Sequence, residues 1–236
     1  ADPAKQNIPE EWKKHKYKQM LTDVADHTKE VLSFLKENSI NVKWVQVGNE
    51  TSNGMLWSVK TDPVTGWEIK DENGNTTITQ SMGHLERNPE QYAGFFKAGY
   101  DAVKSVFPEA KVIVHLDNGF NNSLYNKNLD VLKDGGAKWD IIGMSLYPMW
   151  WENGGWNDWK ANIDKCVANI KAVTEKFGKP VMLCEIGMPV SEPETAKTAF
   201  GYILEQTKKI EDCHGVFCWE PQTDGVWKPS SYDALG

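Results

Sequence analysis

Short apolar runs alternate with longer stretches in which apolar residues recur every three or four positions. From Glu10 to Asn38, Met20, Leu21, Val24, Val31, Leu32, Phe34 and Leu35 return at helical spacing between charged residues, which predicts a helix. Five β-rich runs follow, each ending in polar residues: Val42–Val47, Lys111–Leu116, Asp140–Leu146, Pro180–Ile186 and Gly215–Trp219. Between them lie predicted helices over Pro89–Phe107 after an Asn88 cap, over Asn157–Phe177 ending at Gly178, and over Glu192–Glu211. Pro193 stands in the first turn of the last, where its missing N–H costs nothing. After the first strand, Trp67–Lys70 and Thr76–Thr79 flank Asp71-Glu-Asn-Gly-Asn75, which predicts a hairpin. As a calcium loop that segment is poor, because Thr76 stands where the bend needs glycine.

Strands alternating with helices imply βαβ units and a parallel sheet. Near-continuous apolar strands fit either an open doubly wound sheet or part of a barrel. The strand ends favour the barrel. Gly48-Asn49-Glu50, His115-Leu-Asp117-Asn118, Ser145-Leu-Tyr147, Glu185 and Trp219-Glu220 all fall where strands finish, and in a (β/α) barrel those ends converge on one active face.

The 236 residues hold no internal repeat or long linker, so a single domain is expected, and 40% hydrophobic residues suffice for a substantial core. No apolar run approaches the length of a spanning helix. The first residues, Ala1-Asp2-Pro3, lack the charged start and apolar stretch of a signal peptide. A formal charge of −7 argues against nucleic acid as a partner. The cysteines (Cys166, Cys184, Cys213, Cys218) match no metal spacing and no dense disulfide framework. The 11 tryptophans exceed what core packing asks for and suggest rings that stack on apolar ligand faces, sugars among them; a large core is the plainer account.

Two glutamates, Glu50 and Glu185, sit at strand ends, each following an apolar strand. On one barrel face they would look at each other across its mouth, the arrangement of glycoside hydrolysis, in which one carboxylic acid protonates the leaving oxygen and another carboxylate attacks the anomeric carbon. Asn49 could then hydrogen-bond a sugar 2-hydroxyl. Other chemistries fit less well. Gly143-Met-Ser145-Leu-Tyr147 lacks the last glycine of a nucleophile elbow, His115-x-Asp117 has no further histidine at a strand end to complete a metal site, and no glycine-rich phosphate loop opens a helix.

Several of these segments together resemble the arabinogalactan endo-β-1,4-galactanases, family 53 of the glycoside hydrolases. They are Trp44-Val-Gln-Val-Gly-Asn49-Glu50-Thr-Ser-Asn-Gly54-Met-Leu-Trp57, His115-Leu-Asp117-Asn118-Gly, Asp140-Ile-Ile-Gly143-Met-Ser145-Leu-Tyr147-Pro148-Met-Trp150 and Phe217-Cys-Trp219-Glu220-Pro221. Ala1–Gln6 is similar to the family's segment just after its third strand, so the match runs almost end to end. The resemblance implies a retaining (β/α)8 TIM barrel of clan A, here covering roughly strands 4 to 8, without the N-terminal βα units that carry an Arg and a His-Tyr-Ser-Asp strand end, and without the C-terminal end. It implies Glu50 as acid/base and Glu185, in Leu183-Cys184-Glu185-Ile186-Gly187, as nucleophile. Asn49 and Trp219 match the clan's sugar-binding positions, and Trp57, His115, Asp117, Ser145, Tyr147 and Trp150 match subsite positions. Trp12 and Trp139 read as packing.

The implied partner is galactan and its oligosaccharides, the implied assembly a monomer, and the implied location outside the cell, since the polymer is too large to enter. No cofactor is expected. Relatives that bind calcium carry a long loop after the seventh strand, whereas here Met188–Glu194 is short. A non-catalytic glycan-binding relative or inactive fragment, or a clan A hydrolase of another β-1,4-glycan, would share most of these residues.

Overall fold

The computed structural model describes residues 6–149, 158–189 and 191–219. After a 3-10 turn at Glu10–Trp12 the elements run α1 (Tyr17–Glu37), β1 (Trp44–Gln46), β2 (Ser58–Val59), β3 (Ile78–Gln80), α2 (Pro89–Val106), β4 (Lys111–Leu116), α3 (Asn122–Asp134), β5 (Ile141–Leu146), α4 (Trp159–Phe177), β6 (Val181–Ile186), α5 (Pro193–Thr207) and β7 (Cys213–Cys218). They form two compact units. One comprises residues 1–114 and 127–140, the other 115–126 and 141–236, so the chain passes between them within β4 and within α3.

In the first unit β1 pairs in parallel with β4, Trp44 opposite Lys111 and Gln46 opposite Ile113. Helix α2 turns Tyr92, Ala93, Phe95, Phe96, Gly99, Ala102 and Val103 inward. Gly99 is there for closeness: a Cβ would stand 2.6 Å from Val47 Cγ1. Asn88 precedes the helix as expected, but its side chain does not cap it. It donates instead to Ser81 O (2.7 Å) and Oγ (3.1 Å), tying the helix start to the preceding turn. The long first helix begins later than its periodicity suggested. Lys13, Lys14, His15 and Lys16 precede Tyr17, and cations at a helix N-terminus oppose its dipole.

In the second unit the parallel order continues from the end of β4 through β5 and β6 to β7. All six residues of β5 are buried. α4 packs Ile163, Cys166, Ile170 and Val173 inward and ends, as its sequence indicated, at Gly178 in the left-handed region (φ 63°). α5 stops at Thr207, short of the expected Glu211; Thr207 Oγ1 turns back to donate to Ile203 O (2.7 Å). Helix α3 had no counterpart among the expected elements. The predicted hairpin is present, with Lys70 bridged to Thr76 around the Asp71–Asn75 turn. Among the described residues no helix is long and apolar enough to cross a membrane.

Candidate active site

Each unit brings its own group of strand-end residues into a fixed geometry. In the first, the chain leaves β1 through Gly48 (φ 77°), where a Cβ would meet Thr51 Cγ2 at 2.5 Å. Asn49 is held twice: Gln46 Nε2 donates to its Oδ1 (2.8 Å) and Gln6 Nε2 to its backbone oxygen (2.9 Å). Half-buried Glu50 follows at φ 48°, a left-handed conformation that costs a non-glycine residue about 1–2 kcal/mol and persists only where the surroundings impose it. Those surroundings are visible. Thr51 Oγ1 and Tyr92 Oη are 2.9 Å apart and buried, Asn128 Nδ2 donates to Ser52 O (3.1 Å), and burial pushes the Tyr92 phenol up. Trp57 is 4% exposed, its ring edge-on to His84 with centroids 4.8 Å apart. Its indole Nε1 is buried without a hydrogen-bond partner, and the ring presents no open face for stacking.

In the second unit, His115 (β4) and Ser145 (β5) are both buried, with His115 Nε2 and Ser145 Oγ 2.8 Å apart. Burial holds the imidazole pKa down to about 3, so the ring is neutral at ordinary pH. On β6, half-buried Glu185 lies in register with Ser145, and a ring nitrogen of His115 and a carboxylate oxygen of Glu185 lie within 4.8 Å. The phenol of Tyr147 donates to Glu185 Oε2 at 2.7 Å. Two contacts fix that phenol: Trp219 meets its ring edge-on at 6.3 Å, and Gly187 lies so close that a Cβ there would be 2.5 Å from Tyr147 Cε1. The neighbouring Cys184 thiol is pushed up to about 12, by burial first and by the charge of Glu185 second, so it is no nucleophile. Asp117 accepts from the side chain of Asn118 (2.9 Å), itself at φ 48°. Trp150 lies outside the described residues.

The second unit thus gathers His115, Ser145, Tyr147, Glu185 and Trp219, and the first places Asn49, Glu50 and Trp57 along one segment. Reading the sequence missed the residues that do the holding: Gln6, Gln46 and Tyr92. Gln46 had a signal, a lone amide inside the apolar run Val45–Val47. Gln6 and Tyr92 had none, since their roles depend on contacts 43 and 41 residues away.

A protein of Niallia circulans, described as an uncharacterized protein in the bgaB 5′ region, is 34% identical over 80% of this chain and 45% of its own length. A probable arabinogalactan endo-beta-1,4-galactanase A of Neosartorya fischeri is 27% identical over 83% of this chain and 48% of its own. The chain therefore spans about half the length of the curated relatives it matches. Among solved structures, the Ignisphaera aggregans GH53 catalytic domain superimposes with a TM-score of 0.71 at 23% identity, covering 93% of this chain and 59% of that one. A fungal beta-1,4-galactanase does so with a TM-score of 0.74 at 20% identity, covering 94% and 64%. These likenesses give the fold as that of a (β/α) barrel, to which this chain supplies five parallel strands. The profile of Glycosyl hydrolase family 53 matches residues 1–231, and the chain belongs to that family.

Proposed function

We propose that this chain carries the two catalytic carboxylates of a retaining endo-β-1,4-galactanase that cuts inside pectic galactan chains outside the cell. Glu185 attacks the anomeric carbon while Glu50, as the acid, protonates the departing glycosidic oxygen. Glu50 then acts as base on the water that releases the covalent galactosyl-enzyme. Asn49, clamped from both ends, is suited to bond the 2-hydroxyl, a contact that strengthens in the transition state. The observation that carries the reading is the Tyr147–Glu185 hydrogen bond. A nucleophile has to present one oxygen along the line of attack, and a phenol donating to Oε2 leaves Oε1 for that task. Retention requires the Glu50 and Glu185 carboxyls to stand about 5–5.5 Å apart, against roughly 6.5–9.5 Å for inversion.

The test is hydrolysis of β-1,4-galactan by the 236-residue chain, beside β-1,4-mannan and β-1,4-glucan, with Glu185→Ala as control. Release of short galacto-oligosaccharides that Glu185→Ala abolishes supports the reading. Full activity in Glu185→Ala removes the nucleophile assignment, and galactan binding without products favours a glycan-binding relative.

A further inference from the structure

Gln46 is a polar residue inside the apolar run Val45–Val47, at the last position of β1. Its backbone is fixed: Gln46 lies opposite Ile113 of β4, and Val47 N donates to Ile113 O (3.2 Å). Side chains alternate along a strand, so Gln46 and Val47 leave the sheet on opposite faces. Val47 packs on α2, where a Cβ at Gly99 would stand 2.6 Å from its Cγ1. Gln46 therefore points to the face away from that helix.

There it meets Asn49. Gly48 (φ 77°) turns the chain so that Asn49 comes back within reach, and Gln46 Nε2 donates to Asn49 Oδ1 (2.8 Å). Gln6 Nε2, from a residue that is itself buried, donates to the Asn49 backbone oxygen (2.9 Å). The two bonds do different things. The Gln6 bond fixes where Asn49 stands, and the Gln46 bond fixes which end of its side-chain amide goes where. A primary amide accepts at one end and donates at the other, and the two ends have nearly the same shape. With Oδ1 turned to Gln46, the planar group turns Nδ2 the other way. That orientation decides whether Asn49 donates to a sugar oxygen or accepts a sugar proton.

We infer that Gln46 is a positioning residue: by donating to Asn49 Oδ1 it turns Asn49 Nδ2 toward the substrate, where Nδ2 donates to the 2-oxygen of the galactose unit whose bond is cut. The inference rests on the galactanase reading above for the sugar and for the place of Asn49. It adds that the contact has a polarity, and that a residue acting through its neighbour sets it. A contact to the 2-hydroxyl strengthens in the transition state, so losing its polarity falls on kcat more than on KM. Gln46 is exposed, and a hydrogen bond that water can replace contributes little to stability, so changing it leaves the fold in place.

The test is hydrolysis by the full chain of an aryl β-1,4-galactobioside, and of its analogue lacking the 2-hydroxyl of the unit next to the leaving group. Gln46→Glu supplies a carboxylate that only accepts, so the Asn49 amide has to turn round to donate to it. On the hydroxylated substrate Gln46→Glu is expected to lower kcat/KM about thirtyfold, mostly in kcat, and Gln46→Met, which has no donor, about fivefold. On the 2-deoxy analogue both variants are expected to stay within about twofold of the parent. Equal losses on the two substrates mean a structural effect, or an effect of the new charge on Glu50, and overturn the inference. Unchanged kcat/KM in Gln46→Glu overturns it as well, because the amide then works in either orientation. The side-chain amide signals of Asn49 in a nitrogen–proton correlation spectrum read the orientation without substrate. One of its protons is expected to move downfield in Gln46→Glu and not in Gln46→Met, and no movement overturns the inference. A parent that hydrolyses neither galactoside overturns the galactanase reading and with it the sugar contact, while the spectrum still upholds or overturns the hold of Gln46 on Asn49.

Discussion

Two helix–strand pairs of this chain have similar amphipathic sequences and opposite fates. α4 and β6 have their apolar faces covered: over 19 residues α4 buries Asn162, Ile163, Cys166, Asn169, Ile170 and Val173, and β6 pairs with β5 on one side and β7 on the other. α1 and β1 do not. Over 21 residues α1 buries only Met20 and Leu32, leaving Val31 and Phe34 at 45% and 63% exposure, while among the described residues β1 pairs with β4 alone and shows Trp44 at 52%. A cavity of about 720 Å³, lined among others by Trp12, Val24, Val31, Val45 and Met55, marks the same region. The apolar pattern says which face wants covering. Whether it is covered depends on a neighbour, and β6 has two where β1 has one.

The comparison breaks most sharply by truncation on each side. Ile170→Ala in α4 removes a side chain with no exposure and is expected to cost about 2–5 kcal/mol, the range for large-to-small changes in a packed core. Val31→Ala in α1 is expected to stay within about 0.5 kcal/mol. Urea unfolding of the full chain reads both. Equal losses would mean that the outer face of α1 is covered in solution.

Next in size is a pH effect from the covered region. His115 Nε2 lies 2.8 Å from Ser145 Oγ in full burial, whereas His15, before α1, lies beside Asp23 (2.6 Å) with 27% of its side chain exposed. Burial lowers the His115 pKa to about 3 in the folded chain, against about 6.5 when unfolded. Between those values the unfolded chain binds the extra proton, so this contribution is complete above pH 6.5 and is lost as pH falls toward 3. From pH 7.5 to 5 the loss should be about 2 kcal/mol. Urea midpoints across that range should slope downward toward acid, and His115→Asn should flatten the slope. An unchanged slope in the variant would assign it to other groups.

These contrasts also show what could be read from the chain. The buried strands were legible because a strand covered on both faces is almost continuously apolar, as in Ile141–Leu146, where only Ser145 interrupts the run. α3 was not, because Tyr125, Leu129 and Leu132, four and then three residues apart, pack it from among asparagine, serine, lysine and aspartate, which are weak helix signals. Glu50 and Glu185 could be named from strand ends and from the family's motifs. The Tyr147–Glu185 bond could not, because it depends on the register of β5 against β6, which shifts between Met144 and Ser145. Nor could the contrast between buried Trp57 and half-exposed Trp67: ring exposure is decided by turns built on Asp62 and by the partner His84, not by residue type.

The smallest expected effect concerns how helices end. α3 closes with Gly136 N bonded to Lys133 O and Ala137 N to Leu132 O, with Gly136 at φ 73°. α1 closes with the same pair of bonds, Ser39 N to Lys36 O and Ile40 N to Leu35 O, but places Ser39, at φ 60°, where α3 has glycine. A left-handed serine costs about 1 kcal/mol or somewhat more, and replacing it with glycine returns part of that gain through the freer unfolded chain. Ser39→Gly should therefore stabilise the full chain by up to about 0.5 kcal/mol, while Gly136→Ala, which forces a Cβ into the same conformation, should cost about 1 kcal/mol. Urea midpoints of the two variants read the difference. If Ser39→Gly loses as much as Gly136→Ala does, backbone strain is not what limits the end of α1, and the weakness of that pair lies wholly in its uncovered face.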